Sequence, residues 1–320
     1  MAPTVVIAYP GFGDIRIEEE ILSTIDANVS HLGNTDTPAS REVVAQADAL
    51  MVTLQPVPAE LIATMERCRI VSRVGTGLDA IDIDAATKHG IWVTYVPDYA
   101  VDEVSTHAIA SLLAHARGFP RLLESTRRGE WGNKVVAPIH RLQGQTLGVL
   151  GYGRIGRAVG VKAHGLGLEV NVHDPYLDSL PPDSSYARLV DWETLLLTSD
   201  YVSLHVPLTD GTHHIINAES LSQMKSTAFL INTARGALID EDALLKAVRS
   251  GQIAGAALDV LSAEPPPVDH PLLHEDRIWI TPHSAWYSEE SMEDMRTRGA
   301  EEVVRVLQGQ NPRNPVNQIN

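Results

Sequence analysis

Cysteine, lysine and phenylalanine are scarce in this 320-residue chain, and it has no long hydrophobic run. The single cysteine, Cys68, excludes an internal disulfide, and with no spaced thiol pair there is no cysteine zinc site. No apolar stretch reaches the ~18 residues that a membrane span needs. The opening residues lack a basic region ahead of their short apolar run, so TVVIA (4–8) is expected to be a first strand, not a signal sequence. HExxH and GxSxG are missing, which leaves zincin and nucleophile-elbow chemistry without support. Basic residues are outnumbered 25 to 41, giving a net charge of −16. Nucleic-acid phosphates demand a basic face, so direct nucleic-acid binding is not expected. The absences describe a soluble, cytoplasmic protein with no metal site. An acidic protein of this kind must supply its own local cations if its substrate is an anion.

The chain exceeds one comfortable core of ~100–150 residues, so two domains are the default. Short β-branched runs alternate with helical patterns almost throughout, the mark of βαβ units and parallel sheets. Strands are expected at 4–8, 49–53, 69–74 and 91–95, and again at 146–150, 168–173, 201–206, 228–233, 255–260 and 278–282. Helices are expected near 16–26, from Pro58, near 82–89, from Arg154 and over 289–307. A long helix over 101–117, with Val104, Ala108, Leu112 and Ala116 on one stripe, leads from the first group of strands to the second.

The sharpest motif is Gly151-Tyr-Gly153-Arg154-Ile155-Gly156. It follows an apolar strand, opens a helical pattern and leads to a second strand ending in Asp174. That aspartate stands 18 residues after Gly156, where dinucleotide folds place an acidic residue ~20 residues on. The glycines permit a tight turn and close backbone approach, and the helix start offers N–H groups to a pyrophosphate. A carboxylate at Asp174 accepts ribose hydroxyls and repels a 2′-phosphate, so NAD is expected in preference to NADP. Arg235 follows the strand AFLINT and suits bidentate capture of a carboxylate. Glu264 and His283 each follow a later strand. A carboxylate beside an imidazole stabilises its cation and fixes its tautomer, as general acid–base work near neutral pH requires. The loop Arg73-Val74-Gly75-Thr76-Gly77 is either an anion-binding turn or a plain βα connection. The His213–His214 pair has no third ligand and is read as solvated. Arg117, Arg121, Arg127 and Arg128 are read as a solvated or interface face.

Together these segments resemble the D-isomer-specific 2-hydroxyacid dehydrogenase family over nearly the whole chain. The matching runs are Val74-Gly-Thr-Gly-Leu-Asp79, the glycine fingerprint, His205-Val-Pro-Leu-Thr209 with Thr212, Asn232 to Gly236, Ala257-Leu-Asp-Val260, Glu264-Pro265 and Thr281-Pro-His283. The resemblance implies an α/β chain of two Rossmann-like or flavodoxin-like domains with parallel sheets and an active site in the cleft between them. Residues 1–99 and 285–320 would form a discontinuous substrate-binding domain, and 100–284 an NAD-binding Rossmann domain that supplies most of a homodimer interface. It further implies that Arg235 binds the carboxylate and polarises the carbonyl of a 2-oxo acid, with His283 as proton donor and Glu264 as its partner. Val74, Gly75, Thr76 and Trp286 would line the substrate, Trp286 alternatively packing the start of the last helix. Cofactor contacts would come from Thr76, Val104, Gly151, Gly153, Arg154, Ile155, Gly156, Asp174, His205, Val206, Pro207, Thr212, Thr233, Ala234, Arg235, Asp259 and His283. Within the family, Ala137-Pro-Ile-His-Arg141, Asp174-Pro-Tyr176 and His283-Ser-Ala-Trp-Tyr-Ser288 look most like the C-terminal binding protein branch. Two functions follow: an NAD-dependent reductase of small 2-oxo acids, or a dinucleotide-sensing regulatory protein with weak dehydrogenase activity.

Overall fold

A computed structural model describes residues 2–9, 14–136 and 138–319; Ala137, one of the residues behind the branch resemblance, lies outside them. The chain divides into two compact units, residues 1–99 with 288–320, and residues 100–287.

In the first unit five parallel strands form one sheet: β1 (Thr4–Ala8), β2 (Asn28–Leu32), β3 (Ala49–Val52), β4 (Ile70–Arg73) and β5 (Trp92–Thr94), in the order β2-β1-β3-β4-β5. β1, β3 and β4 are buried along their lengths except for half-buried Thr4, as sheets covered on both faces require. β2, NVSHL, is an edge strand with none of its residues fully buried, and the sequence pattern does not reveal it. The last helix, Glu289–Leu307, starts at Ser288 with a capping box and packs against the helix Arg16–Ser23. There Arg296 meets buried Glu18 through two hydrogen bonds of 2.8 and 2.6 Å. The tail then returns to the sheet, where the Asn317 side chain accepts from Val93 N and donates to Ile91 O.

The second unit holds seven parallel strands: β6 (Thr146–Leu150), β7 (Glu169–His173), β8 (Ala187–Leu189), β9 (Tyr201–Leu204), β10 (Phe229–Asn232), β11 (Gly255–Leu258) and β12 (Ile278–Ile280). Their order is β12-β11-β10-β9-β6-β7-β8. Successive side chains feed two separate cores: Leu150, Val202, Leu230 and Ala256 one, and Leu147, Tyr201, Phe229 and Ala257 the other. That is the period-two alternation of a sheet covered on both faces. The helix Val101–Arg117 lies as expected, with Val104, Ala108, Leu112 and Ala116 buried. It is clasped to the helix Arg154–Gly165 by Lys162 Nζ, which donates to Asp102, Ser105 and Thr106. The division at Ser288 keeps Trp286 with this larger unit, a shift from the expected boundary at 285. Its indole N–H donates to His283 O at 2.9 Å and ties the turn after β12 together. Among the described residues no helix is long and apolar enough to cross a membrane.

Candidate active site

Because the seven strands run parallel, their C-terminal ends share one edge. Gly151 follows β6, Asp174 follows β7, His205 follows β9, Thr233 to Arg235 follow β10, Asp259 follows β11 and His283 lies just beyond β12. Strand order reverses at β6, flanked by β7 and β9. Open α/β sheets bind ligands at such a switch point.

The three glycines after β6 have different jobs. A Cβ on Gly156 would lie 2.1 Å from Gly151 O, so only glycine lets the helix pack against the turn. Gly151 has φ +86 and presses against the His205 carbonyl. Gly153, by contrast, has open space where its Cβ would point, and no side chain caps the helix it begins. The first-turn N–H groups, which include those of Arg154 and Ile155, and the open approach fit a pyrophosphate. The Asp174 carboxylate accepts from Tyr152 N at 2.9 Å and Tyr176 N at 3.0 Å, which fixes it beside this turn. A carboxylate has about four lone-pair sites, so capacity remains for ribose hydroxyls. His205 bonds Ser203 Oγ at 2.8 Å, and burial pushes its imidazole down to about 4, so it is neutral at pH 7. Thr212 Oγ1 accepts from Thr209 N and donates to Pro207 O, closing the loop after β9.

Arg235 is positioned by buried Asn232, whose side chain donates to Arg235 O at 2.8 Å and accepts from Ala234 N at 3.0 Å. Glu264 and His283 meet directly, Oε2 to Nδ1, at 2.6 Å. Burial pushes the Glu264 carboxyl up, but the His283 bond, the Leu261 N–H and the charges of His283 and Arg235 outweigh it. The group is held below its ordinary value. Arg235, Glu264 and His283 therefore form one electrostatic group. With Nδ1 engaged, Nε2 is the ring atom left for exchange with a ligand.

His283 has φ +51, uncommon for a residue with a side chain. Asp259 holds it there: its carbonyl accepts from His283 N at 2.8 Å, and its carboxylate accepts from Ser284 N, Ala285 N and Thr281 Oγ1. Asp259 Oδ2 keeps room for one more donor. His107, on the helix Val101–Arg117, reaches Thr281 Oγ1 at 3.1 Å. Sequence reading gave no role to His107; the available signal was its place with Ser111 and Ala114 on one side of that helix. These residues border a cavity of about 240 Å³, together with Thr233 and Trp279. Thr233 Oγ1 is buried without a hydrogen-bond partner among the described residues, an atom that a polar ligand group would satisfy.

In the first unit, Val74 is buried, Gly75 has φ +136, and Thr76 Oγ1 donates to Val96 O at 3.0 Å. The Arg73 guanidinium lies where a Gly75 Cβ would be and donates to the carbonyls of Val74 and Gly77.

Residues 109–285 match the family model for the NAD-binding domain of D-isomer-specific 2-hydroxyacid dehydrogenases. The chain belongs to that family. It is 38% identical to a glyoxylate reductase of Korarchaeum cryptofilum, over 95% of this chain and 94% of that protein. It is 40% identical to a D-3-phosphoglycerate dehydrogenase of Methanocaldococcus jannaschii over 87% of this chain, but spans only 53% of that protein's length. A D-lactate dehydrogenase of Aquifex aeolicus, solved with NAD and lactic acid, superposes with a TM-score of 0.89 at 29% identity, covering 99% of this chain and all of that one. As a family member the chain is an NAD-dependent oxidoreductase.

Proposed function

We propose that this dehydrogenase reduces a small, unphosphorylated 2-oxo acid to the D-2-hydroxy acid, and runs the reverse reaction. The observation that carries the reading is the Glu264–His283 contact at 2.6 Å, within the field of Arg235 on the cofactor edge. Bound NADH supplies the hydride that the carbonyl carbon receives. Arg235 pairs with the substrate carboxylate and polarises the carbonyl. Protonated His283 gives its Nε2 proton to the carbonyl oxygen, while Glu264 on Nδ1 stabilises the cation and fixes the ring. In oxidation the neutral imidazole takes that proton back.

Backbone groups of Gly75 and Thr76, with Val74, are assigned to the substrate carboxylate. Trp286 is assigned to its side chain. Asp259 is assigned to the nicotinamide carboxamide through its spare Oδ2. Thr76, Val104, Arg154, Ile155, Val206, Pro207, Thr212, Thr233 and Ala234 complete the proposed cofactor contacts. An unphosphorylated substrate is favoured because Arg73, the cation nearest the Gly75 loop in sequence, already serves that loop's own carbonyls. The nearly full-length likeness to a glyoxylate reductase points the same way. A purely regulatory dinucleotide sensor would not need the Arg235–Glu264–His283 group intact.

A homodimer is part of the reading. Phe119, Leu123 and Trp131 are 54%, 52% and 92% exposed within one segment, an apolar surface suited to a second copy. So is a cytoplasmic location, which fits the single free thiol. The test is NADH oxidation against glyoxylate, hydroxypyruvate, pyruvate, a thioether 2-oxo acid, phenylpyruvate and 3-phosphohydroxypyruvate. Turnover of unphosphorylated acids well above the phosphorylated one is expected; the opposite order refutes the substrate class.

A further inference from the structure

Glu264 sits on a loop that has few internal means of holding its shape. Pro265, Pro266 and Pro267 follow it directly and offer no backbone N–H. Within the loop, Leu261 N donates to Glu264 Oε1 at 2.8 Å and His270 N donates to Pro267 O at 3.0 Å. The two ends of the loop are joined elsewhere, at a single side chain. Glu241 Oε1 accepts from Ser262 N at 2.7 Å, and Glu241 Oε2 lies 3.2 Å from His270 Nε2.

Glu241 is the first residue of the helix Glu241–Ser250, but it does not cap that helix. Asp240 does so, accepting from Ala243 N at 3.0 Å. The Glu241 carboxylate turns instead to the loop, and its side chain is only 17% exposed. The Leu261–Ser262 peptide that it grips also packs against Gly236, where a Cβ would lie 2.0 Å from Leu261 C. Gly236 adjoins Arg235, so this one peptide joins the two arms of the site. On the other side, His270 Nδ1 is buried and has no partner among the described residues. Among the described residues, the Glu241 contact is thus the polar interaction that holds that ring.

We propose that Glu241 is a positioning residue: its carboxylate closes the loop that carries Glu264 and so fixes the orientation in which Glu264 meets His283. The inference rests on the role of His283 proposed above. Glu241 touches neither His283 nor any reacting atom, and acts through Glu264.

The experiment compares wild type with Glu241→Ala, Glu241→Gln, Glu264→Gln and the Glu241→Ala/Glu264→Gln double variant. Long-range ¹H–¹⁵N spectra of the imidazoles at one fixed pH read the His283 environment without any substrate. Glu241→Ala and Glu264→Gln should displace the His283 signals in the same direction. Glu241→Gln keeps an acceptor for Ser262 N and should fall between Glu241→Ala and wild type; it also carries the test if Glu241→Ala does not fold. In 2-oxo acid reduction Glu241→Ala should lower kcat about 10- to 100-fold, the scale of an ångström-sized misplacement. In the Glu264→Gln background the same change should cost less than about twofold, because the two act through one group. Fluorescence titration should find NADH affinity unchanged. His283 signals that stay at their wild-type positions in both Glu241 variants, or losses that multiply in the double variant, would overturn the brace. A wild-type protein inert toward every 2-oxo acid would overturn the functional reading and leave the spectra to decide the brace.

Discussion

Replacing Glu264 with Gln removes a charge while keeping the shape of the contact with His283. The distance of 2.6 Å marks a charge-assisted hydrogen bond, worth about 1.5–3 kcal/mol in general. Both side chains are about a third exposed, 34% for His283 and 32% for Glu264, and solvent screening reduces this to roughly 1 kcal/mol. The sign follows from which form is helped. Glu264 is held below its ordinary value, so it stays ionised across the assay range and favours the protonated imidazole. Without that charge the proton-donating form of the ring loses its stabilising partner. Reduction should therefore fade at lower pH in Glu264→Gln than in wild type, with kcat at neutral pH down roughly fivefold for a loss of about 1 kcal/mol, and oxidation should respond in the opposite sense. The assay is kcat against pH in both directions, with deuterated NADH establishing that the chemical step limits the rate. Coincident profiles for wild type and Glu264→Gln would refute the pairing.

Asp174→Ala should narrow the preference for NADH over NADPH, and should also weaken NADH itself, because the Tyr152 and Tyr176 amides lose their acceptor; equal use of both cofactors by wild type would remove Asp174 from this role. Gly153→Ala should alter stability by less than about 1 kcal/mol yet abolish tight NADH binding. Gly156→Ala, with its Cβ 2.1 Å from Gly151 O, should cost roughly 1–3 kcal/mol of stability; thermal melts and NADH titrations separate the two. Trp286→Ala should lower kcat/KM for every substrate, since its N–H braces the His283 carbonyl, and several-fold further for large 2-oxo acids than for glyoxylate. Equal losses would assign Trp286 to bracing alone.

The sequence was most legible where side-chain pattern and burial coincide. The buried strands β1, β3, β6 and β10 read directly as short apolar runs, and the 101–117 helix reads from its apolar stripe. The edge strands β2 and β8 did not. NVSHL and ARL are short and largely uncovered, and they become strands by pairing with β1 and β7. The helices Pro38–Ala45 and Phe119–Arg127 likewise have few buried residues to reveal them. At the site, Arg235, Glu264 and His283 were legible because each follows a strand of one parallel sheet. Their supports were not, because they depend on contacts between distant residues. Nothing in the spacing of Asp259 announces that its carboxylate gathers Thr281, Ser284 and Ala285. Nor does anything in the run Asp240-Glu-Asp242 show that the middle carboxylate turns toward the Glu264 loop.

The most direct test of the account is the configuration of the product. Pyruvate or hydroxypyruvate is incubated with NADH and the enzyme, and the hydroxy acid is resolved by chiral chromatography, with His283→Ala in parallel. The D-hydroxy acid should form in proportion to NADH consumed, and His283→Ala should lose roughly 10²–10⁴-fold in rate. An L-hydroxy acid, or His283→Ala turning over at the wild-type rate, would contradict it.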